Sequence, residues 1–252
     1  MARIPRGVVD AHGRQAVVHD HEGALIALDL ENGALLWSHG PSLRPCALHA
    51  GSVVALRINP SPTLMVVVLD AATGEDRWTS EPVDLPPWAR CTLDDTRDFT
   101  LRTEESDDGV VLRWVARTWY RGGAAPSAGV LEESRRTAHG ALKVGLTGPP
   151  LLEVLPAAEA EAEAWAGAGA EAEELPEKAD ADVPPPVPPA ASSDQQSAVL
   201  DQSLVGDKRM ELLLRPDSGA VVLRAADPRT GTLAWEVELD RATPRRAPRL
   251  RP

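Results

Sequence analysis

Apolar residues along this chain come in short dense runs separated by clusters of Asp, Asn, Gly, Pro and Ser. Residues 24–28, 64–69 and 220–224 are rich in Val, Leu and Ala and stop at turn-forming residues, a pattern that predicts β-strands. Each is preceded by a further strand-like run, for instance residues 15–19 and 52–58. Residues 98–103 and 110–120 form another such pair, divided by the turn Glu-Ser-Asp-Asp-Gly109. The expected elements are antiparallel strands joined by tight turns.

The runs belong to a repeat. Ala27, Asp29, Gly33 and Trp37 share their spacing with Val68, Asp70, Gly74 and Trp78, and with Ala225, Asp227, Gly231 and Trp235. In each, Gly follows Asp by four positions and Trp follows Gly by four. The Asp carboxylate can accept hydrogen bonds from backbone N–H groups just ahead of it, and Gly accepts the positive φ of a tight turn. The next strand then carries Trp at a fixed distance. A weaker fourth copy spans residues 142–152; it keeps Gly148 but has Leu152 where Trp would stand, and no Asp. Gly33 and Gly74 lie 41 positions apart, the length of a three- or four-stranded propeller blade.

The Ala-x-Asp-x-x-x-Gly-x-x-x-Trp pattern resembles the tryptophan-docking motif of quinoprotein-type β-propellers, the PQQ-like repeat. That resemblance implies an all-β, propeller-like fold in which Trp packs between neighbouring blades. It covers roughly 190 residues and is specific for architecture, not for function. Four blades are recognisable, whereas rings of this family close with seven or eight. The expectation is therefore a small closed ring, an open arc covered by a partner, or two chains pairing four plus four. Blades one to three occupy residues 1–155, the third being irregular, and a last blade occupies 199–240.

Residues 156–198 break the pattern. They pass from Ala/Glu alternation into Pro-Pro-Pro-Val-Pro-Pro and a Ser/Gln-rich tract, with Trp165 the only large aromatic. Such a stretch buries too little surface to offset its ordering entropy, which predicts a disordered linker. Residues 241–252 hold five Arg and no acid (Arg241, Arg245, Arg246, Arg249 and Arg251), an expected flexible tail. Net charge is −12, with −9 concentrated in residues 153–182. The acidic body argues against nucleic-acid binding except through the basic tail. No stretch is long and apolar enough for a membrane span, and the first residues lack the apolar core of a secretory signal, so a cytoplasmic protein is expected.

Candidate chemistry is sparse. His19 and His21 would share a face if residues 19–22 were strand, but that stretch ends in Gly23 where the repeat needs a turn, and no third ligand stands beside them. Cys46 and Cys91 lie 45 positions apart, without metal-ligand spacing. Enzymes of the resembled family are far longer, and commonly use a vicinal disulfide and a metal-bound carboxylate; neither grouping stands here. Residues 121–127 (Arg-Gly-Gly-Ala-Ala-Pro-Ser) lack the Gly-Lys-Ser/Thr of a phosphate loop. No catalytic residue, cofactor or metal is therefore expected. A non-catalytic protein-interaction scaffold is the first expectation, with Arg121, Gly122, Gly123 and the tail arginines as contact residues. A propeller binding a small, quinone-like molecule near its axis is the second, and a quinone-dependent oxidoreductase a distant third.

Overall fold

The computed structural model describes residues 3–10, 12–118, 129, 134–156 and 197–241. The expected contact residues Arg121, Gly122, Gly123, Arg245, Arg246, Arg249 and Arg251, and nearly all of the expected linker, lie outside them. The described chain forms four antiparallel sheets. Sheet I holds β1 (Arg3–Ile4), β2 (Gly7–Val9), β3 (Gln15–His19), β4 (Leu25–Asp29) and β5 (Leu35–His39), in that order. Sheet II holds β6 (Leu43–His49), β7 (Ser52–Arg57) and β8 (Thr63–Asp70); β9 (Asp76–Thr79) and β10 (Val83–Asp84) share the far edge of β8. Sheet III runs β11 (Phe99–Ser106), β12 (Gly109–Arg117), β13 (Thr137–Gly145), β14 (Leu151–Leu155). Sheet IV runs β15 (Ala198–Val205), β16 (Lys208–Leu214), β17 (Ala220–Ala226), β18 (Leu233–Arg241).

Each sheet is an up-and-down meander, the form of a propeller blade. The sheets pack in the spatial order IV–I–II–III. One core joins Val18, Leu28 and Leu30 of sheet I to Met210, Leu223 and Trp235 of sheet IV. A second joins Val17, Leu25 and Trp37 of sheet I to Val53, Val67 and Leu69 of sheet II. The third joins Leu56, Val66 and Val68 of sheet II to Phe99, Leu112 and Trp114 of sheet III. Adjacent residues thus serve opposite cores: Val17 faces sheet II, while Ala16 and Val18 face sheet IV. This two-sided burial explains the unbroken apolar runs of the inner sheets, where a one-sided sheet would alternate. Sheet III, at the end of the array, does alternate: β12 is buried at every second position over most of its length.

Where β8 passes from β9 to β10 the edge is broken at Ser80 and stays bonded. Ser80 N donates to Val66 O (2.9 Å) and its Oγ accepts from Val66 N (2.9 Å), so the side chain stands in for a missing ladder carbonyl. Among the described residues no helix is long and apolar enough to cross a membrane.

Candidate interaction surface

The three Asp–Gly turns are built alike. Asp29 Oδ1 accepts from Glu31 N; Asp70 Oδ1 accepts from Ala72 N and Thr73 N; Asp227 Oδ1 accepts from Arg229 N and Thr230 N, all at 2.7–3.0 Å. The glycine N–H donates back to the Asp carbonyl in each (2.8–2.9 Å), and φ at Gly33, Gly74 and Gly231 is 73°, 75° and 71°. A register shift falls at the same place every time, leaving Ala27 opposite Trp37, Val68 opposite Trp78 and Ala225 opposite Trp235. Cross-strand partners share a face, so a compact residue there leaves room for the indole.

Two of these turns carry an indole from the neighbouring sheet. Trp37 of sheet I donates its Nε1–H to Ala71 O (2.8 Å), and a Cβ on Gly74 would lie 2.6 Å from its ring. Trp235 of sheet IV donates to Leu30 O (2.9 Å), and a Cβ on Gly33 would lie 2.9 Å from its ring. Each indole is therefore buried flat on a glycine with its polar edge satisfied. Trp78 points on toward sheet III and is half-buried in the sheet II–III core, but the β13–β14 hairpin offers no Asp–Gly turn, and among the described residues its N–H has no such carbonyl. Gly148, the surviving glycine of that hairpin, has φ 103° and open space above it.

The third Asp–Gly turn is bare. A Cβ on Gly231 would meet nothing within 4 Å, and residues 227–234 are all exposed. Pro228, the counterpart of buried Leu30 and Ala71, is exposed too. Beside the turn lies a cleft of 390 Å³ lined by Asp207, Lys208, Asp227, Thr230, Leu233 and Ala234. β15 of the same sheet is exposed along most of its length, with Val199 55% and Leu204 63% open to solvent, whereas its counterpart β6 is buried at six of seven positions. Among the described residues, exposure on this flank thus lies at the Asp227 turn and β15; on the same outward face, Glu211, Leu213, Val222 and Ala226 of β16 and β17 are buried.

A second cleft, of 560 Å³, lies where the first strands of sheets I, II and IV converge. Its polar lining includes Arg6, His19, Arg44, Asp94, Asp95 and Gln202. Arg44, 5% exposed, donates to Thr92 O (2.9 Å) and to Asp95. Buried His19 presents Nε2 to Asp94 Oδ1 (3.1 Å) and Nδ1 to Asp20 O (2.8 Å); the His19 contact holds the Asp94 carboxyl below its usual range. His19 and His21 do not act as a pair: His19 ends β3 and turns to Asp94, while His21 sits in the following turn.

His21 meets Asp240 of β18, 219 positions away. Asp240 Oδ1 accepts from His21 N and faces His21 Nδ1 (both 2.8 Å), and Oδ2 accepts from Arg6. The hydrogen bond to Asp240 raises the His21 pKa. Burial works to raise Asp240, but the bonds from the His21 amide, Arg6 and the His21 ring outweigh it and hold the carboxyl low. Asp20, His21 and Asp240 gather potential metal ligands within 4.8 Å. The pair suggested by the sequence is His19 with His21; the fold leaves His19 out and sets Asp20 and Asp240 beside His21 instead. Yet the Arg6 guanidinium already neutralises Asp240, and Asp20 Oδ1 accepts from the Glu22 and Ala24 amides (2.9 and 2.8 Å). The grouping is a charged clasp between sheets I and IV. No sequence signal pointed to Asp240, Arg6 or Arg44, because their partners are distant in the chain.

Cys46 and Cys91, far apart in sequence, share the sheet II–III core as free thiols. Burial pushes the Cys91 thiol up to about 12, against the opposing pull of Arg44.

No family model matches the chain, and no curated protein matches it. Among solved structures, BamB from Moraxella catarrhalis aligns with 92% of this chain at 17% identity and a TM-score of 0.34. The chain spans about half (52%) of that structure's length. The propeller-like description rests on the four meanders and their packing.

Proposed function

We propose that this chain is a non-catalytic protein-interaction scaffold whose contact surface is the open flank of sheet IV. The observation that supports it most is the contrast between equivalent parts. The Asp29 and Asp70 turns are covered by indoles, and the Asp227 turn is bare; β6 is buried, and β15 is open. Exposed Val199, Leu204 and Leu233 form the apolar part of this flank, the composition expected of a surface that meets another protein. The test is to purify the full chain from its own cells beside a Val199→Glu/Leu204→Glu variant. A stoichiometric partner held by the native chain and lost by the variant supports the reading. A partner retained equally by both defeats it.

We place the protein in the cytoplasm on the same footing, in keeping with two unlinked cysteines. Recovery from another compartment on fractionation would contradict this.

The 560 Å³ cleft favours a second reading, a small-molecule site near the axis. Its charged lining is largely paired internally through Arg44–Asp95 and His19–Asp94, which makes a polar, pre-organised pocket. Saturable quenching of tryptophan fluorescence by a quinone-like ligand, abolished by Arg44→Ala, would support it; unchanged fluorescence would remove it.

A further inference from the structure

We infer that the Asp227–Gly231 turn is a docking seat for a tryptophan side chain carried on a strand of a partner protein. The inference rests on the scaffold reading and deepens it by naming the group the partner must bring. Its warrant is internal to the molecule. The Asp29 and Asp70 turns each accept one indole, ring on glycine and N–H on the carbonyl one residue after Asp. The Asp227 turn matches the Asp70 turn in both Asp-to-amide bonds and the Asp29 turn in one of them, and matches both turns in glycine φ and register shift. Its acceptor, the Pro228 carbonyl, stands on an exposed residue; proline lacks an N–H but keeps this group. The site is a preformed copy of two filled seats, with nothing above the glycine.

Direction fixes where the occupant comes from. Trp235 passes from sheet IV to sheet I, and Trp37 from sheet I to sheet II. Each indole therefore moves one step along the array, and the seat on sheet IV faces a sheet that would precede it, on the open flank. The chain's other described tryptophans cannot serve, because Trp78, Trp88 and Trp114 pack in the sheet II–III core. A second copy has the same described tryptophans committed in the same way. The seat thus continues the existing series of sheet-to-sheet interfaces, and among the described residues no tryptophan is left to fill it, Trp119 and Trp165 lying outside them; a Trp-bearing strand of a partner is the occupant the series calls for.

The specificity expected is for indole over other rings. A phenylalanine would fill the space without a donor for the Pro228 carbonyl, and a Cβ on Gly231 would occupy the place of the ring, as it would at Gly74 and Gly33. The open cleft of 390 Å³ beside the turn is lined by Leu233 and Ala234 on one side and Asp207 and Lys208 on another. Lys208 Nζ already donates to Leu30 O (2.8 Å), which ties this wall to sheet I.

The experiment uses the full chain and a capped peptide with the sequence of Leu233–Arg241, its tryptophan replaced by 5-fluorotryptophan and followed by fluorine NMR. A saturable shift is expected, weakened about tenfold or more by Gly231→Ala and, without touching the turn backbone, by Ala234→Glu. Gly148→Ala, which bears a similar positive-φ substitution on the hairpin lacking Asp, should bind as the native chain does. No shift at about 1 mM chain, or equal binding by all variants, would overturn the inference. So would a dimer of the chain that Gly231→Ala dissociates, since the seat would then belong to a second copy. A native partner complex that survives Gly231→Ala but not Val199→Glu/Leu204→Glu would remove the indole and leave the scaffold reading standing.

Discussion

Trp37 and Trp235 show how one side chain can join two sheets. Each buries its ring on a neighbouring glycine and spends its only donor on a backbone carbonyl, so truncation loses packing and leaves a cavity at the seam. Trp235→Ala and Trp37→Ala should each cost about 3–5 kcal/mol in denaturant unfolding. Trp78→Ala, at a half-buried ring without that hydrogen bond, should cost roughly half as much. Equal losses at all three positions would deny the docked pair their special role. The Cys91 thiol, buried and pushed up to about 12, should react with an aromatic disulfide reagent only as fast as the chain unfolds. Rapid reaction in native buffer would contradict its placement. At this scale the sequence spoke clearly where chemistry is local: Asp, Gly and Trp at fixed spacing announced their turn. It was silent on Arg6, Arg44 and Asp240, whose roles depend on neighbours brought from other sheets.

Among the elements, the Asp–Gly hairpins carry the most testable contrast. Gly74 and Gly231 have nearly the same φ, so an added Cβ strains both backbones alike, by about 1–2 kcal/mol. At Gly74 it would also run into the Trp37 ring; at Gly231 it would meet open space. Gly74→Ala should therefore lower stability by roughly 1–3 kcal/mol more than Gly231→Ala, as read by thermal or urea unfolding of the isolated chain. Equal effects would mean that the third turn is covered in solution. The turn carboxylates Asp70 and Asp227 are held below their usual range by backbone amides. Their contribution is present above the unfolded carboxylate pKa and is lost as pH falls through the lower folded value. The strands flanking these hairpins were legible as apolar runs. β12 is expected from the sequence to reach residue 120 and ends at Arg117, while no apolar run singles out β1, β2, β6, β10, β13, β14 or β15. β1 and β10 are two-residue pairings too short to leave a periodic signal, and β14 is largely exposed, so it shows no buried face.

The whole molecule is an ordered array in which the last sheet in sequence packs against the first. That junction combines the Trp235 seat with the clasp of Arg6, His21 and Asp240. Other charged groups beside His21 are Asp20 and Glu22, both of which favour its protonated form. With the His21 pKa raised, its contribution is complete below the unfolded histidine value and is lost as pH rises through the folded one. Asp240, held low, contributes above the unfolded carboxylate value and loses that contribution as pH falls. The clasp should be strongest between those ranges, and Asp240→Asn should flatten the fall in thermal midpoint on the alkaline side. An unchanged pH profile would show that the clasp carries no net weight. Blade-like sheets and their number were readable from the repeat. The spatial order IV–I–II–III was not, because it is set by which faces pair, and residues 156–198 separate sheet IV from sheet III in the chain. Hydrogen–deuterium exchange on the isolated full chain and on its native complex would probe the open flank directly. Amides 229–234 should exchange faster than those of the Asp29 and Asp70 turns in the isolated chain, and become protected in the complex. Protection already present in the isolated chain, or none gained in the complex, would contradict a contact surface on sheet IV.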